Sequence, residues 1–198
     1  MGLLLGSGIT LTASSYAGVV KFLTIFPLLV LGANVGNVLF VKSAISNQLI
    51  TMLPVPVEKV PALVIIAMVI LSVATGIFVI IFVNIFAGGY DNSLPRKVKG
   101  PALADSYPAL FRLQSAHNNT IECLAMVTAC FWAATTHSLD AQLFAKLALS
   151  VLASRLLYVV VYVLDEDFLR TSCYILAIAG MTDIAIGAVF PETLSKYD

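Results

Sequence analysis

Hydrogen-bonding and ionisable side chains are scarce in this sequence, and those that could do chemistry recur in three groups set among apolar residues. The first is Arg112, Ser115, His117, Asn119 and Glu122. At about 100° per residue, Arg112, Ser115, Asn119, Glu122 and Met126 fall on one helical stripe, with His117 roughly opposite. Such a stripe can bind a polar, zwitterionic ligand. Arg112 would take a carboxylate, Asn119 an amide and Glu122 an ammonium group. The same stripe would serve equally as a network tying helices together, through interhelical hydrogen bonds worth about 0.6–2 kcal/mol each. The second group is Arg155, Tyr158 and Tyr162, spaced i, i+3 and i+7 on one helix face. Arg155 sits mid-span and calls for an acid, and Glu122 is the best candidate. The plainer reading is a buried structural pair, with the tyrosines as packing or interfacial anchors. The third is Arg170, directly after Asp165-Glu166-Asp167. A fixed guanidinium there can stabilise a thiolate or a developing anion, or pair with the neighbouring acids. Asp183 is a further acid in an apolar stretch, with Lys146 or Arg155 as candidate partners.

Other chemistries find little support. The two histidines, His117 and His137, are twenty residues apart and form no metal-ligand cluster. Cys123, Cys130 and Cys173 lie in apolar stretches without a C-x-x-C pair, which suggests neither disulfides nor a metal site. Net charge is zero, so no nucleic-acid footprint is visible. Asn118-Asn119-Thr120 matches a glycosylation acceptor, but its place at a helix entry makes the match a chance one.

These groups need a scaffold, and composition says which kind. Of 198 residues, 60% are hydrophobic and only 11% charged, with mean hydropathy +0.98. A soluble domain carries roughly 25% charged residues, so the missing polar surface belongs in lipid. A membrane-crossing helix needs about 20 mostly apolar residues. Four stretches qualify: 62–87, entered at Pro61 and stopped by Gly88-Gly89; 115–136; 141–164; and 168–190, stopped by Pro191. The short connections at 138–140 and 165–167 make neighbours antiparallel, hence an up-down four-helix transmembrane bundle. Residues 19–41 predict one extra N-terminal transmembrane helix, the alternative being a removed targeting segment. Residues 51–61, with three prolines, then read as a linker. The organisation expected is an N-terminal extension over 1–60 and a four-helix membrane domain over 61–198. The loop 88–114 carries Arg96, Lys97, Lys99 and Arg112. It is the most basic connection and is placed on the cytoplasmic side; Arg170 then lies on that side too.

The order of these residues carries a family likeness. Tyr90-Asp91-Asn92 with Pro95-Arg96 follows the first core span. Then come Arg112, Ala116-His117-x-Asn119-x-x-Glu122, Arg155-Leu-Leu-Tyr158-x-x-x-Tyr162 and Leu169-Arg170-Thr171. The pattern, over about residues 60–190, resembles MAPEG, the membrane-associated proteins in eicosanoid and glutathione metabolism, and looks closest to the bacterial-type branch with the Tyr-Asp-Asn…Pro-Arg signature. The resemblance implies a homotrimer of four-helix subunits, with glutathione as co-substrate between neighbours on the cytoplasmic side. It implies that Asn119, Glu122 and His117 contact glutathione, that Tyr158 and Tyr162 line the site, and that Arg170 activates the sulfur. The logic is that a free thiol has a pKa near 8.5, which a nearby cation lowers. Two departures stand out. Ser115 occupies a position where active members often have arginine, and Cys123 one where some have an aromatic residue.

The function expected is a glutathione-dependent transferase or peroxidase acting on lipophilic electrophiles or lipid hydroperoxides, with membrane lipid and a small lipophilic substrate as partners. The alternative is a non-catalytic membrane scaffold or lipid-binding protein of the same family type, a reading that Ser115 favours.

Overall fold

The computed structural model describes residues 3–5, 9–11, 13–86, 101–137 and 139–198. The architecture is all-α, apart from a small antiparallel pair of three-residue strands, β1 (Leu3–Leu5) and β2 (Ile9–Leu11). Long helices follow: α1 (Ala13–Lys42), α3 (Val60–Phe86), α5 (Pro108–Thr136), α6 (Ala141–Val163) and α7 (Asp167–Val189). Two short ones intervene, α2 (Ala44–Met52) and α4 (Pro101–Ser106). A 3-10 segment, Pro191–Tyr197, follows α7.

The helix limits have local causes. Ser43 caps α2 by accepting from the Ser46 amide, and Asp140 caps α6 by accepting from the Leu143 amide; each satisfies a donor that the first turn leaves without a partner. Proline opens α5 at its first position, where its missing N–H costs nothing. The proline-rich stretch expected as a linker is more ordered than that. Its first two residues finish α2, and Val57–Lys59 form a 3-10 turn running into α3.

Leu23–Lys42, Val57–Phe86, Ala141–Val163 and Asp167–Val189 are each long and apolar enough to cross a membrane. α5 is 29 residues long but falls outside that set, because the polar residues of its first half lower its hydropathy. The protein is thus a multi-pass integral membrane protein. Its exposed apolar residues, among them Ile66, Ile70 and Val73 on α3, are what a lipid-facing surface requires.

The main core lies where α3, α5, α6 and α7 meet, through Val64, Met68, Val127, Phe131, Ala148 and Ile184. Phe131 and Phe144 meet edge to face at 5.1 Å. The helix α1 lies against α7 and α6. Its Ala33 packs on Ile175 and Ala179, and its buried Asn37 donates to the Leu176 carbonyl and accepts from Ser150 at 2.6 Å. Up-down connectivity brings the C-terminal ends of α3 and α6 to the same end of the bundle as the starts of α5 and α7. The functional groups gather there.

Candidate functional site

The turn from α6 to α7 is the anchor of this end. Asp165 adopts a left-handed backbone, φ 69°, a conformation that aspartate tolerates better than most residues. Its amide donates to the Tyr162 carbonyl and that of Glu166 to Val161, so the orphan carbonyls of α6 are satisfied. Held this way, the Asp165 carboxylate receives Arg112 at 3.1 Å, and the Nε of Arg112 donates to the Val163 carbonyl at 3.2 Å. Arg112 thus fastens the start of α5 to the end of α6.

Inward from that turn runs a ladder of cations and rings. The Arg170 guanidinium lies 4.6 Å from the Tyr162 ring centre and pairs with Asp167 at 2.6 Å. Tyr162 meets Tyr158 edge to face at 5.3 Å, and Arg155 sits 4.1 Å over the Tyr158 ring. The i, i+3, i+7 spacing is what aligns the three α6 residues. Tyr174 completes the group, with its ring 6.1 Å from Tyr158 and 5.9 Å from Arg155. Sequence reasoning missed Tyr174, although its position four residues after Arg170 was the available signal.

Arg155 is fully buried. Its Nη2 donates to the Asn119 carbonyl at 3.1 Å, while Nε and Nη1 have no hydrogen-bond partner among the described residues. The acid expected to pair with it does not do so. Glu122 is exposed on α5, and the ion pairs among the described residues are Arg112–Asp165, Arg170–Asp167 and Lys196–Asp183. The reason is rotational. The α5 backbone carbonyl at Asn119 reaches Arg155, whereas the Glu122 side chain lies on the exposed face of α5. Asp183, for which Lys146 or Arg155 were candidates, instead takes Lys196 and the Tyr197 hydroxyl. Both come from the 3-10 segment after α7, whose return no sequence spacing revealed.

The α5 stripe therefore divides. Ser115 donates to the Phe111 carbonyl and Asn119 to the Ser115 carbonyl, each one turn back on its own helix. Glu122 lies at the middle of α5, next to the exposed Ile121 and one turn before the exposed Met126. His117 faces the other way, as its angle predicts. Its Nδ1 stands 3.0 Å from the Ser72 carbonyl and 3.2 Å from the Thr75 hydroxyl. A carbonyl only accepts, so Nδ1 carries the hydrogen. The ring fits because residue 76 is glycine, where a Cβ would come within 2.8 Å of the ring. The structure thus brings together Arg155, Tyr158, Tyr162 and Arg170, with Arg112 at the adjoining turn; it sets Glu122 on the outer face and His117 in the α3–α5 contact. The Tyr90–Arg96 motif and the basic residues Arg96, Lys97 and Lys99 lie outside the described residues.

Beside Arg112 is an apolar cavity of about 450 Å³, lined among the described residues by Phe82, Phe86, Tyr107, Leu110, Leu113 and Val163. No group of His, Cys, Asp and Glu suited to a metal ion occurs among the described residues.

With this geometry in hand, a polar, arginine- and tyrosine-lined end on an apolar helical bundle, comparison with protein families gives a match to the MAPEG family over residues 60–190. The chain belongs to the MAPEG family. No curated protein and no solved structure matches it.

Proposed function

We propose that the protein is a membrane-bound glutathione-dependent transferase or peroxidase acting on lipophilic electrophiles or lipid hydroperoxides. The observation that carries this reading is the set of unfinished polar groups at membrane depth. Arg155 is buried with two nitrogens unpartnered, and Glu122 faces outward from the middle of α5 among exposed apolar side chains. An ionisable group at membrane depth is costly unless paired or hydrated. A second copy of the chain against the outer α5 face, with a zwitterionic tripeptide in the crevice, would satisfy Glu122. A homotrimer is the assembly expected of the family. In it Asn119 and Glu122 take the amide and ammonium parts of glutathione, Arg112 a carboxylate, and Tyr158 and Tyr162 line the site. His117 supports the helix from behind.

Arg170 supplies the chemistry. A guanidinium beside the sulfur favours thiolate over thiol at neutral pH. In conjugation the thiol proton passes to solvent and the thiolate attacks the electrophilic carbon; the C–S bond forms as the bond from that carbon to the leaving group breaks, the leaving group taking the electron pair. In peroxide reduction it attacks the outer oxygen, releasing the lipid alcohol and leaving a sulfenic acid, which a second glutathione converts to the disulfide and water. The apolar cavity beside Arg112 suits the hydrocarbon part of such a substrate. The basic end of the bundle is taken as cytoplasmic, where glutathione would enter.

Two observations favour the scaffold reading instead. Ser115 commits its hydroxyl to its own helix, and Arg170 is already paired with Asp167. Calorimetric titration with glutathione separates the two. Saturable binding is expected, weakened about 10- to 100-fold in Glu122→Ala, as for loss of a hydrogen bond to a charged group. Absence of binding at millimolar glutathione would leave the scaffold reading standing; equal binding in the variant would remove Glu122 from the site.

A further inference from the structure

We propose that residues 191–198 form a clasp that fixes α1 to the four-helix unit, so that the additional helix is a permanent wall of the molecule. The family match spans residues 60–190. The two segments flanking it, α1 on one side and the 3-10 segment on the other, hold each other.

Four contacts build the clasp at the end of the bundle away from Arg170. The Lys196 ammonium donates both to the Asn34 amide oxygen at 3.0 Å, on α1, and to Asp183 at 2.7 Å, on α7. One cation thus bridges the two helices. The Tyr197 hydroxyl donates to the other Asp183 oxygen at 2.6 Å. Lys42, the last residue of α1, donates to the Asp198 carbonyl. Leu194 is seated in a notch on α7 that exists because residue 187 is glycine; a Cβ there would stand 2.3 Å from the leucine. Leu194 and Tyr197 are buried and belong to the same apolar cluster as Val41 of α1.

The arrangement is economical for a membrane protein. Asp183 lies within α7, where an unpaired carboxylate would be expelled or protonated. The returning segment brings a cation and a hydroxyl to it, and the same cation reaches α1. Among the described residues, Asn37 gives α1 a second polar anchor, to α6 and α7. Between α1 and α7, towards the opposite end, runs a groove of about 530 Å³ with Gly32, Gly36, Ser172 and Cys173 among its lining residues. Cys173 also packs on Tyr158 and Val161. A firmly held α1 therefore limits how bilayer hydrocarbon approaches the back of the tyrosine cluster.

The test uses the full chain in lipid, with the native cysteines replaced by alanine and Ala179→Cys as the sole thiol. Residue 179 is largely buried against Ala33 of α1, so a bilayer-soluble maleimide reaches it faster when α1 opens. Modification follows the open population. Lys196→Met combined with Tyr197→Phe is expected to raise the rate about tenfold, and a chain ending at Phe190 to raise it further. The control is the same pair of substitutions with native Cys123, buried between other helices, as the sole thiol; its rate should not change. An unchanged rate at residue 179 overturns the proposal. So does an equal rise at Cys123, because that reports general loosening rather than release of α1.

Discussion

The two ends of the bundle handle their polar groups in opposite ways. At the end where the chain returns after α7, Asp183, Lys196, Tyr197, Asn34 and Lys42 all find partners within the chain. At the other, Arg112 and Arg170 are paired, while deeper in the bundle Arg155 keeps two nitrogens unpartnered among the described residues and Glu122, at the middle of α5, is exposed. Burial of charge is not what separates them, since both ends bury it. The closed network uses its hydrogen bonds for architecture. The open one leaves polar groups without a partner among the described residues, which is what the proposed ligand site draws on. In a bilayer the contrast is sharper than in water, because no bulk solvent completes what the protein leaves unfinished.

Substitutions can break or sharpen this contrast. Among the stability changes the largest is expected from Asp183→Ala, which leaves the buried Tyr197 hydroxyl without its acceptor and Lys196 without its ion pair. The expected loss is about 1–3 kcal/mol of stability, the cost of a buried hydroxyl left unsatisfied, measured by reversible unfolding in mixed micelles, with glutathione affinity of the folded fraction unchanged. A drop in affinity would mean that the two ends are not independent. Arg170→Ala is expected to do the reverse. Turnover should fall about 10²- to 10³-fold, or ~2.7–4 kcal/mol of transition-state stabilisation, with little change in unfolding. The companion measurement is the thiolate absorbance of bound glutathione, which should disappear. Gly187→Ala comes next. It drives a methyl group into Leu194 and should cost about 1–3 kcal/mol of stability through overpacking, again sparing ligand binding.

The smallest effect is on pH dependence. Burial, then the hydrogen bond to Asp183 and its charge, push the Tyr197 hydroxyl well above the usual tyrosine pKa. A raised folded-state pKa means that the stabilisation is full below the unfolded value of about 10. It is lost as pH rises from there towards the folded value, since the unfolded chain releases its proton first. Unfolding midpoints should therefore decline above about pH 10, and less so in Tyr197→Phe. An identical decline in the variant would assign the effect elsewhere.

Much of the fold is legible in the order of the residues. Twenty-residue apolar runs report membrane helices because the bilayer thickness and the helix rise are both fixed. The limits of α6 and α7 fall within a residue of those expected for that reason. The faces of α5 and α6 are also readable, because one helix turn is a constant angle. Arg155, Tyr158 and Tyr162 do share a face, and His117 does oppose the stripe. Hydropathy starts α5 late, at Ser115 instead of Pro108, because the polar first two turns do not read as membrane.

What the sequence determined by itself was local and periodic: the all-α membrane class, the helices and the side of each helix on which a residue sits. Only the tertiary structure decided which sides meet. It turned Glu122 outward and gave Arg155 the Asn119 carbonyl and a tyrosine ring. It also added Tyr174 to the cluster, and it folded Lys196 and Tyr197 back onto Asp183 and α1. Rotation and packing of whole helices set these pairings, and a pairing between helices leaves no period in the chain, so spacing alone could not report it.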